Sequence, residues 1–199
     1  MNDIYLRGKL VDMSYSHTVE NTDYDRASLV VPDQNKGLES IIELKFKHYC
    51  NTSYQVGDEI MVKGNVRSYS TRDKDTNHVQ IYVYTYFDDV DEDIEWTNHF
   101  DITGRICKKD NCISKTKKGK DVIRFIIANN IIQNGSKINS YLPCVAWGKV
   151  AKHINSLPIS TEIRIRGELK SRTYTKPIND NELEFRVAHQ LNVIELEEI

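Results

Sequence analysis

The stretch "ISTEIRIRGELKSR", residues 159–172, has a counterpart earlier in the same chain, "VGDEIMVKGNVRSYS", residues 56–70. Glu162 answers Glu59, Ile163 answers Ile60, Gly167 answers Gly64, and the basic-serine pair Lys170-Ser171 answers Arg67-Ser68. A second match lies upstream: "FDITGRIC", 100–107, follows "IYLRGKLV", 4–11, with Gly104 on Gly8 and a basic residue after each. Between these anchors "SYLPCVA" from Ser140 takes the place of "SIIELKF" from Ser40, and the closing runs "LEFRVAHQL" from Leu183 and "VQIYVYTYF" from Val79 keep step. Such self-similarity means that one structural unit occurs twice. The distance between the paired glycines is 56 residues in the first copy and 63 in the second, so the extra residues belong in loops.

Within each copy, apolar and polar residues alternate over several runs broken by polar turns such as "QNKG" and "QNGS", the pattern of half-buried strands. About five strands of roughly 6 to 10 residues are expected per copy. Helix signals are confined to the gap between the third and fourth strands. They are "HYCNTSYQ" in the first copy and "GKVAKHINSL" in the second, where Val150, Ala151, Ile154 and Leu157 fall at helical spacing. This layout predicts an all-β chain of two tandem OB-folds, five-stranded Greek-key barrels, each with a short helix between strands 3 and 4. A glycine inside the first and fourth strands of each copy suits the coiling of a small barrel. The expected domains are residues 1–90 and 97–199. The segment "DDVDEDIEWTN" between them has no Gly, Ser or Pro and reads as a solvated boundary, not a flexible tether.

The composition, 39% hydrophobic and 28% charged over 199 residues, is that of a globular protein and not of a disordered one. No apolar run approaches the roughly 18–20 residues of a membrane span, and "MNDIYLRGKL" lacks the apolar centre of a signal peptide. A cytoplasmic protein is expected. Cys50, Cys107, Cys112 and Cys144 form no CxxC pair and have no zinc-type histidine cluster, so they read as reduced thiols in or near the core, with no metal or cofactor. The net charge of -2 conceals an asymmetry: residues 1–94 hold 10 Lys+Arg against 17 Asp+Glu, and residues 95–199 hold 17 against 12. A polyanion would therefore be carried mainly by the second half.

In that half, "YLPCVAWGKVAKHI", 141–154, sets Leu142, Cys144 and Ala146 on one strand face and Tyr141, Val145 and Trp147 on the other. Two large rings running into Lys149 make either core packing or a platform for a flat ligand. "KTKKGK", 115–120, reads as a hairpin loop projecting Lys115, Lys117, Lys118 and Lys120, and "RIRGELKSR" adds Arg166, Lys170 and Arg172 on one strand face. A lysine-rich hairpin alone is often only a solvated turn.

The segments "NHFDITGRI", "TKKGKDVIRFIIANN", "YLPCVAWGK" and "RIRGELKSRTY", in that order, resemble the bacterial and phage single-stranded DNA-binding proteins over almost the whole second half. The first half is similar to the same family more weakly. The tandem arrangement resembles two-barrel members from Gram-positive bacteria and their mobile elements. The resemblance implies sequence-independent binding and protection of single-stranded DNA in replication, recombination or repair, at the bacterial nucleoid. It also implies no enzymatic activity, a homodimer giving four barrels, and replication proteins as possible partners. By position it implies base stacking on Trp147, Tyr141 and Tyr174. Phosphate contacts would then come from Lys149, Arg105, Lys115, Lys117, Lys118, Lys120, Arg166, Lys170 and Arg172. With Leu142, Cys144 and Ala146 already supplying the interior, the rings are left for the outer surface. RNA is not excluded, since nothing visible reads a 2′-hydroxyl. The chain ends "VIELEEI" directly after the last strand, so recruitment of partners through a Gly/Pro/Gln-rich tail is not expected.

The first copy reads differently. Its third strand turns Ile42, Leu44 and Phe46 inward and Ile41, Glu43, Lys45 and Lys47 outward, so an acid and two lysines replace the rings and stacking is expected to be largely lost. Arg67, Tyr69 and Arg72 remain to guide a strand, against the acidic excess of this half. Tyr82, Tyr84 and Tyr86 form a stripe on one face, expected to be an interface with the second barrel or a second chain. Two rival functions stand beside strand coating. A nuclease would need clustered carboxylates for a metal, and the ring face shows no such pair. An accessory adaptor for priming or recombination would hold a protein through the first barrel and touch DNA only weakly.

Overall fold

The computed structural model describes residues 1–33, 38–48, 54–73, 76–86, 97–133, 135–179 and 182–199. The first copy forms β1 (Asn2–Val19), β2 (Thr22–Pro32), β3 (Glu39–Lys47), β4 (Glu59–Asp73) and β5 (Thr76–Thr85). The second forms β6 (Asn98–Lys109), β7 (Ser114–Lys115), β8 (Asp121–Gln133), β9 (Ser136–Trp147), α1 (Gly148–Ser156), β10 (Glu162–Asn179) and β11 (Glu182–Glu198). Neighbouring strands follow the order β2-β3-β5-β4-β1-β6-β10-β11-β9-β8-β7, with β2–β1 and β6–β8 closing one barrel at each end. In both barrels the third and fifth strands are parallel and the others antiparallel. The two OB-folds of the sequence reading are thus present, as one continuous hydrogen-bonded sheet.

Alternation decides what goes inside. Ile42, Leu44 and Phe46 on β3 are fully buried, as are Leu142 and Ala146 on β9, with Cys144 nearly so. At β4 and β10 the sheet coils so tightly that a Cβ on Gly64 would run into the carbonyl oxygen of Tyr84, and one on Gly167 into that of Asn192. Only glycine allows the neighbouring strand that close.

The barrels join through β1 and β6, which pair antiparallel with Asn2 opposite Ile102, Ile4 opposite Phe100 and Leu6 opposite Asn98. Ile4 and Phe100 are equivalent positions of the repeat, so the junction is an internal twofold. A buried asparagine brackets each side of it. Asn2 donates from Nδ2 to the Val66 carbonyl and accepts from the Val66 N–H, both at 2.8 Å. Asn98 does the same to Leu169, at 2.8 and 2.9 Å. Val66 and Leu169 each follow the repeat glycine by two residues.

Several expectations change. The strands run to 18 residues because the β1–β2 and β10–β11 hairpins stay paired to their turns and extend past the barrels as two-stranded arms. The arm of β1 and β2 closes on Glu20-Asn21, both at positive φ, the two-residue turn whose twist matches the strands. The helix between strands 3 and 4 is present in the second barrel, whereas most of its first-barrel counterpart, residues 49–53, lies outside the described residues together with Cys50, Trp96 and the acidic run 88–93. Cys144 is a core thiol that burial pushes well above its usual range, but Cys107 and Cys112 are exposed.

Candidate nucleic-acid interface

Trp147 is the last residue of β9 and the N-cap of α1. Gly148 takes φ +57, a left-handed step that turns the chain out of the strand and into the helix, and this accounts for the glycine after the tryptophan. Helix α1 then buries Ala151 and Ile154, while Lys109 donates from Nζ to the carbonyls of Ile154, Asn155 and Leu157 at its C-terminal end. The junction is therefore held from both sides. The indole is half-buried, and its Nε1–H donates to Asn192 Oδ1 on β11 at 2.7 Å, which fixes the ring plane.

The lysine loop folds beside this ring. Thr116 and Lys120 close it through a backbone bond of 2.9 Å, and Gly119 N donates to Thr116 O at 2.8 Å. Lys120 Nζ stands 5.6 Å from the Trp147 ring centroid. Lys117, Lys118 and Lys149 are exposed and make no ion pair with the described residues. Lys115 is instead paired with Asp121 at 2.6 Å, and Lys152 shares that carboxylate at 3.6 Å; the pairing with Lys115 holds the Asp121 carboxyl below its ordinary range. Trp147, Lys117, Lys118, Lys120, Lys170 and Asn192 line an open groove of about 620 Å³, whose far wall is Asp33 and Leu38–Ser40 of the first barrel. Lys170 crosses it to meet Asp33 at 3.1 Å and Glu168 at 2.8 Å. Burial works against the charge of Lys170, and the two carboxylates more than offset it.

A second groove, of about 320 Å³, continues from the first at Gln190, which lines both. Its floor is Ile126 and Pro143 and its rim carries Lys108, Arg124 and Arg172. Arg124 is a basic residue the sequence reading passed over. It alternates outward between the buried Ile123 and Phe125, so the strand period in "DVIRFII" was the signal that could have found it. Beyond lie Tyr141 on β9, 53% exposed, and Tyr174 on the β10–β11 arm, 37% exposed. Val145, which shares the ring face, is buried, paired with Arg124 on one side and Asn192 on the other.

Other expected residues lie elsewhere. Arg105 pairs with Glu162 at 2.6 Å and does not line the Trp147 groove. Arg166 meets Asp101 at 3.0 Å, Glu195 at 3.4 Å and Glu197 at 3.7 Å, and opens instead on a cavity with Asp3, Tyr5 and His99. Both arginines spend their donors on carboxylates, because the face of β6 and β10 alternates the two charges. Arg67 is only 8% exposed, its guanidinium 3.8 Å from the Tyr84 ring, so it is not presented to solvent as a guide for a strand. Tyr82, Tyr84 and Tyr86 make ring contacts within the first barrel. They pack on their own barrel's outer face with Arg67, Tyr69 and Tyr24, because Ile81 and Val83 already fill the interior. Among the described residues, no group of three or more His, Cys, Asp or Glu is placed to hold a metal ion. No helix among them is long and apolar enough to cross a membrane.

Comparison with known proteins agrees with this geometry. No curated protein sequence matches the chain. Among solved structures, the wild-type single-stranded DNA binding protein from Thermus aquaticus superposes with a TM-score of 0.74 at 16% identity, covering 100% of this chain and 93% of that one. A deletion mutant of the same protein gives a TM-score of 0.71 at 16% identity, covering 100% and 94%. At that identity the likeness establishes the fold alone, in its two-barrel form. Residues 97–195 match the model of the single-strand binding protein family. The second barrel thus matches the single-strand binding protein family, and the chain carries it within a tandem two-barrel fold.

Proposed function

We propose that the chain binds single-stranded DNA irrespective of sequence and protects it during replication, recombination or repair. The observation that carries this reading is the fixed indole of Trp147 beside Lys117, Lys118 and Lys149, which make no ion pair with the described residues. A ring held by its edge keeps a face for a base, and every base offers a π-face, so such a site tolerates any sequence. Phosphates would be met by those lysines with Lys120, Arg124 and Arg172, of which all but Lys149 line the two grooves that meet at Gln190. Tyr141 on β9 and Tyr174 on the β10–β11 arm extend the track.

We further expect two chains to associate and give four barrels. The outer face of β1 and β6 is related to itself by the internal twofold, and a self-complementary face suits a two-chain assembly. Mass determination in solution tests this.

The decisive experiment is tryptophan fluorescence during titration with oligo(dT), at low and moderate salt, for the wild type and Trp147→Phe, with duplex DNA as control. Only Trp96 and Trp147 can report. Quenching by single strands that salt weakens and the substitution largely removes is the expected result. Absence of single-strand binding at low salt would overturn the reading and favour a protein-binding adaptor.

A further inference from the structure

Lys170 stands where the two grooves of the second barrel meet. It pairs across the β10–β11 ladder with Gln190, the residue that lines both. A strand passing from one groove to the other therefore goes by its ammonium. In the free chain that ammonium is already engaged, with Asp33 at 3.1 Å and Glu168 at 2.8 Å. Glu168 lies two residues away on the same strand, so it stays beside Lys170 whatever enters the groove. Asp33 belongs to the other barrel and lines the same groove as Trp147, Lys117 and Lys118.

The position of Asp33 is fixed by backbone. Its N–H donates to the Leu38 carbonyl at 2.7 Å, one step past the last rung of the β2–β3 ladder, Pro32 opposite Glu39. That ladder end is fastened to the residue after Lys170: the Ser171 N–H donates to Ser40 Oγ at 3.2 Å, and the Ile41 N–H donates to Ser171 Oγ at 2.8 Å. A brace between the barrels is the plain alternative, and two observations weigh against it. The barrels are already joined by the β1–β6 ladder and by the bonds at Ser171. The repeat also asks for no acid here. Pro32 pairs with Glu39 as Asn130 pairs with Asn139, so the place of Asp33 falls on Ile131 in the second copy. The place of Lys170 falls on Arg67, whose guanidinium lies over the Tyr84 ring at 3.8 Å. The twofold-related position thus carries no carboxylate, and the carboxylate is present on the side that has the tryptophan and the lysines.

We propose that Asp33 is an internal stand-in for a strand phosphate, holding Lys170 in the free chain and giving it up when a single strand passes between the grooves. This rests on the single-strand reading of the second barrel and adds a restraint on affinity within it. The exchange is nearly neutral in counter-ions, because the incoming phosphate sheds a cation while the released carboxylate takes one up. With Asp33 in place, Lys170 adds little to affinity or to salt dependence. Without that charge, Lys170 becomes one further phosphate contact.

The test is oligo(dT) titration over a range of salt with the full chain and with Asp33→Asn, which keeps the side chain's size and removes its charge. The variant is expected to bind about three- to fivefold more tightly, the range of a modest ion pair, with the slope of log K against log salt steeper by about 0.7. In a Lys170→Met background the same Asp33→Asn change is expected to have no effect. Binding that is unchanged or weaker in folded Asp33→Asn would overturn the proposal. So would equal tightening with and without Lys170, since Asp33 would then act only as one more negative charge near the strand. If a variant does not fold, carbodiimide coupling of the wild type decides, because it joins a carboxylate to an amine in contact with it. The peptide linking Asp33 to Lys170 is expected to form in the free chain and to fall several-fold under saturating oligo(dT), and a yield that saturation leaves unchanged refutes the exchange. Failure of the wild type to bind oligo(dT) would sink the single-strand reading itself, and this proposal with it.

Discussion

Two buried asparagines hold the fourth strands of the barrels. Asn98 satisfies both backbone groups of Leu169 from a buried position, and Asn2 does the same for Val66. Removing the side chain leaves a donor and an acceptor inside without partners, each costing about 1–3 kcal/mol. Asn98→Ala is therefore expected to lower stability by about 2–4 kcal/mol, read from the urea midpoint at unchanged slope. Asn192 works differently, since it holds the Trp147 ring and not the backbone. Asn192→Ala should cost the fold about 1 kcal/mol or less while weakening single-strand binding several-fold, a split visible by pairing denaturation with oligo(dT) titration. Trp147 was legible because strand alternation left it no place inside. Asn98 was not, since a polar residue at a strand start looks like any turn residue until the bulged fourth strand arrives opposite it.

At the scale of elements, the arms are what sequence reading underestimated. Past Lys170 the hairpin of β10 and β11 leaves its barrel and clasps β3 of the other through Ser171 and His189, whose Nε2–H donates to the Ile41 carbonyl at 2.8 Å. Burial holds the His189 pKa below the ordinary 6.5, while that carbonyl and Glu43 pull the other way; Asp12 and Arg26 line the same cavity. The unfolded chain thus takes up the proton first as pH falls through 6.5. Stability is then lost between that pH and the lower folded value, and recovered as pH rises. His189→Gln keeps a donor for the carbonyl and removes the titration. The drop in Tm between about pH 7.5 and 5.5 should therefore be smaller in the variant, with the remainder due in part to His99, which burial also lowers. The helix α1 was readable from its apolar spacing, because local periodicity alone sets which face is buried. The clasp has no such signature, as it depends on where two arms end in space.

At the scale of the whole molecule, the chain is a dimer of barrels made covalent. The β1–β6 pairing consumes the edges that two separate barrels would expose, and the reciprocal clasps at Ser68 and Ser171 brace it on both sides. The lysine groove lies between the two barrels, with Asp33 and Leu38–Ser40 of the first on its far wall. If Lys117, Lys118, Lys120, Lys149, Arg124 and Arg172 neutralise about 4–6 phosphates, log K against log salt should have a slope near -3 to -4 for a single strand. Replacing Lys117 and Lys118 together by Ala should make that slope shallower by about 1.4. A slope unchanged by the double substitution would remove the loop from the interface.

The repeat, the strand period and the paired glycines determined two five-stranded barrels before any coordinate was known, because alternation and close strand approach are local demands on residue type. The charge asymmetry pointed in the same way to the second barrel. Which cations are free was another matter. Arg105, Arg166, Lys115 and Lys170 look alike in sequence to Lys117 and Lys118, yet Glu162, Asp101, Asp121 and Asp33 claim them. Those partners lie up to 137 residues away along the chain. Ion pairing is set by distance in space, so the choice between a phosphate ligand and an internal counter-ion arose only once the chain had folded.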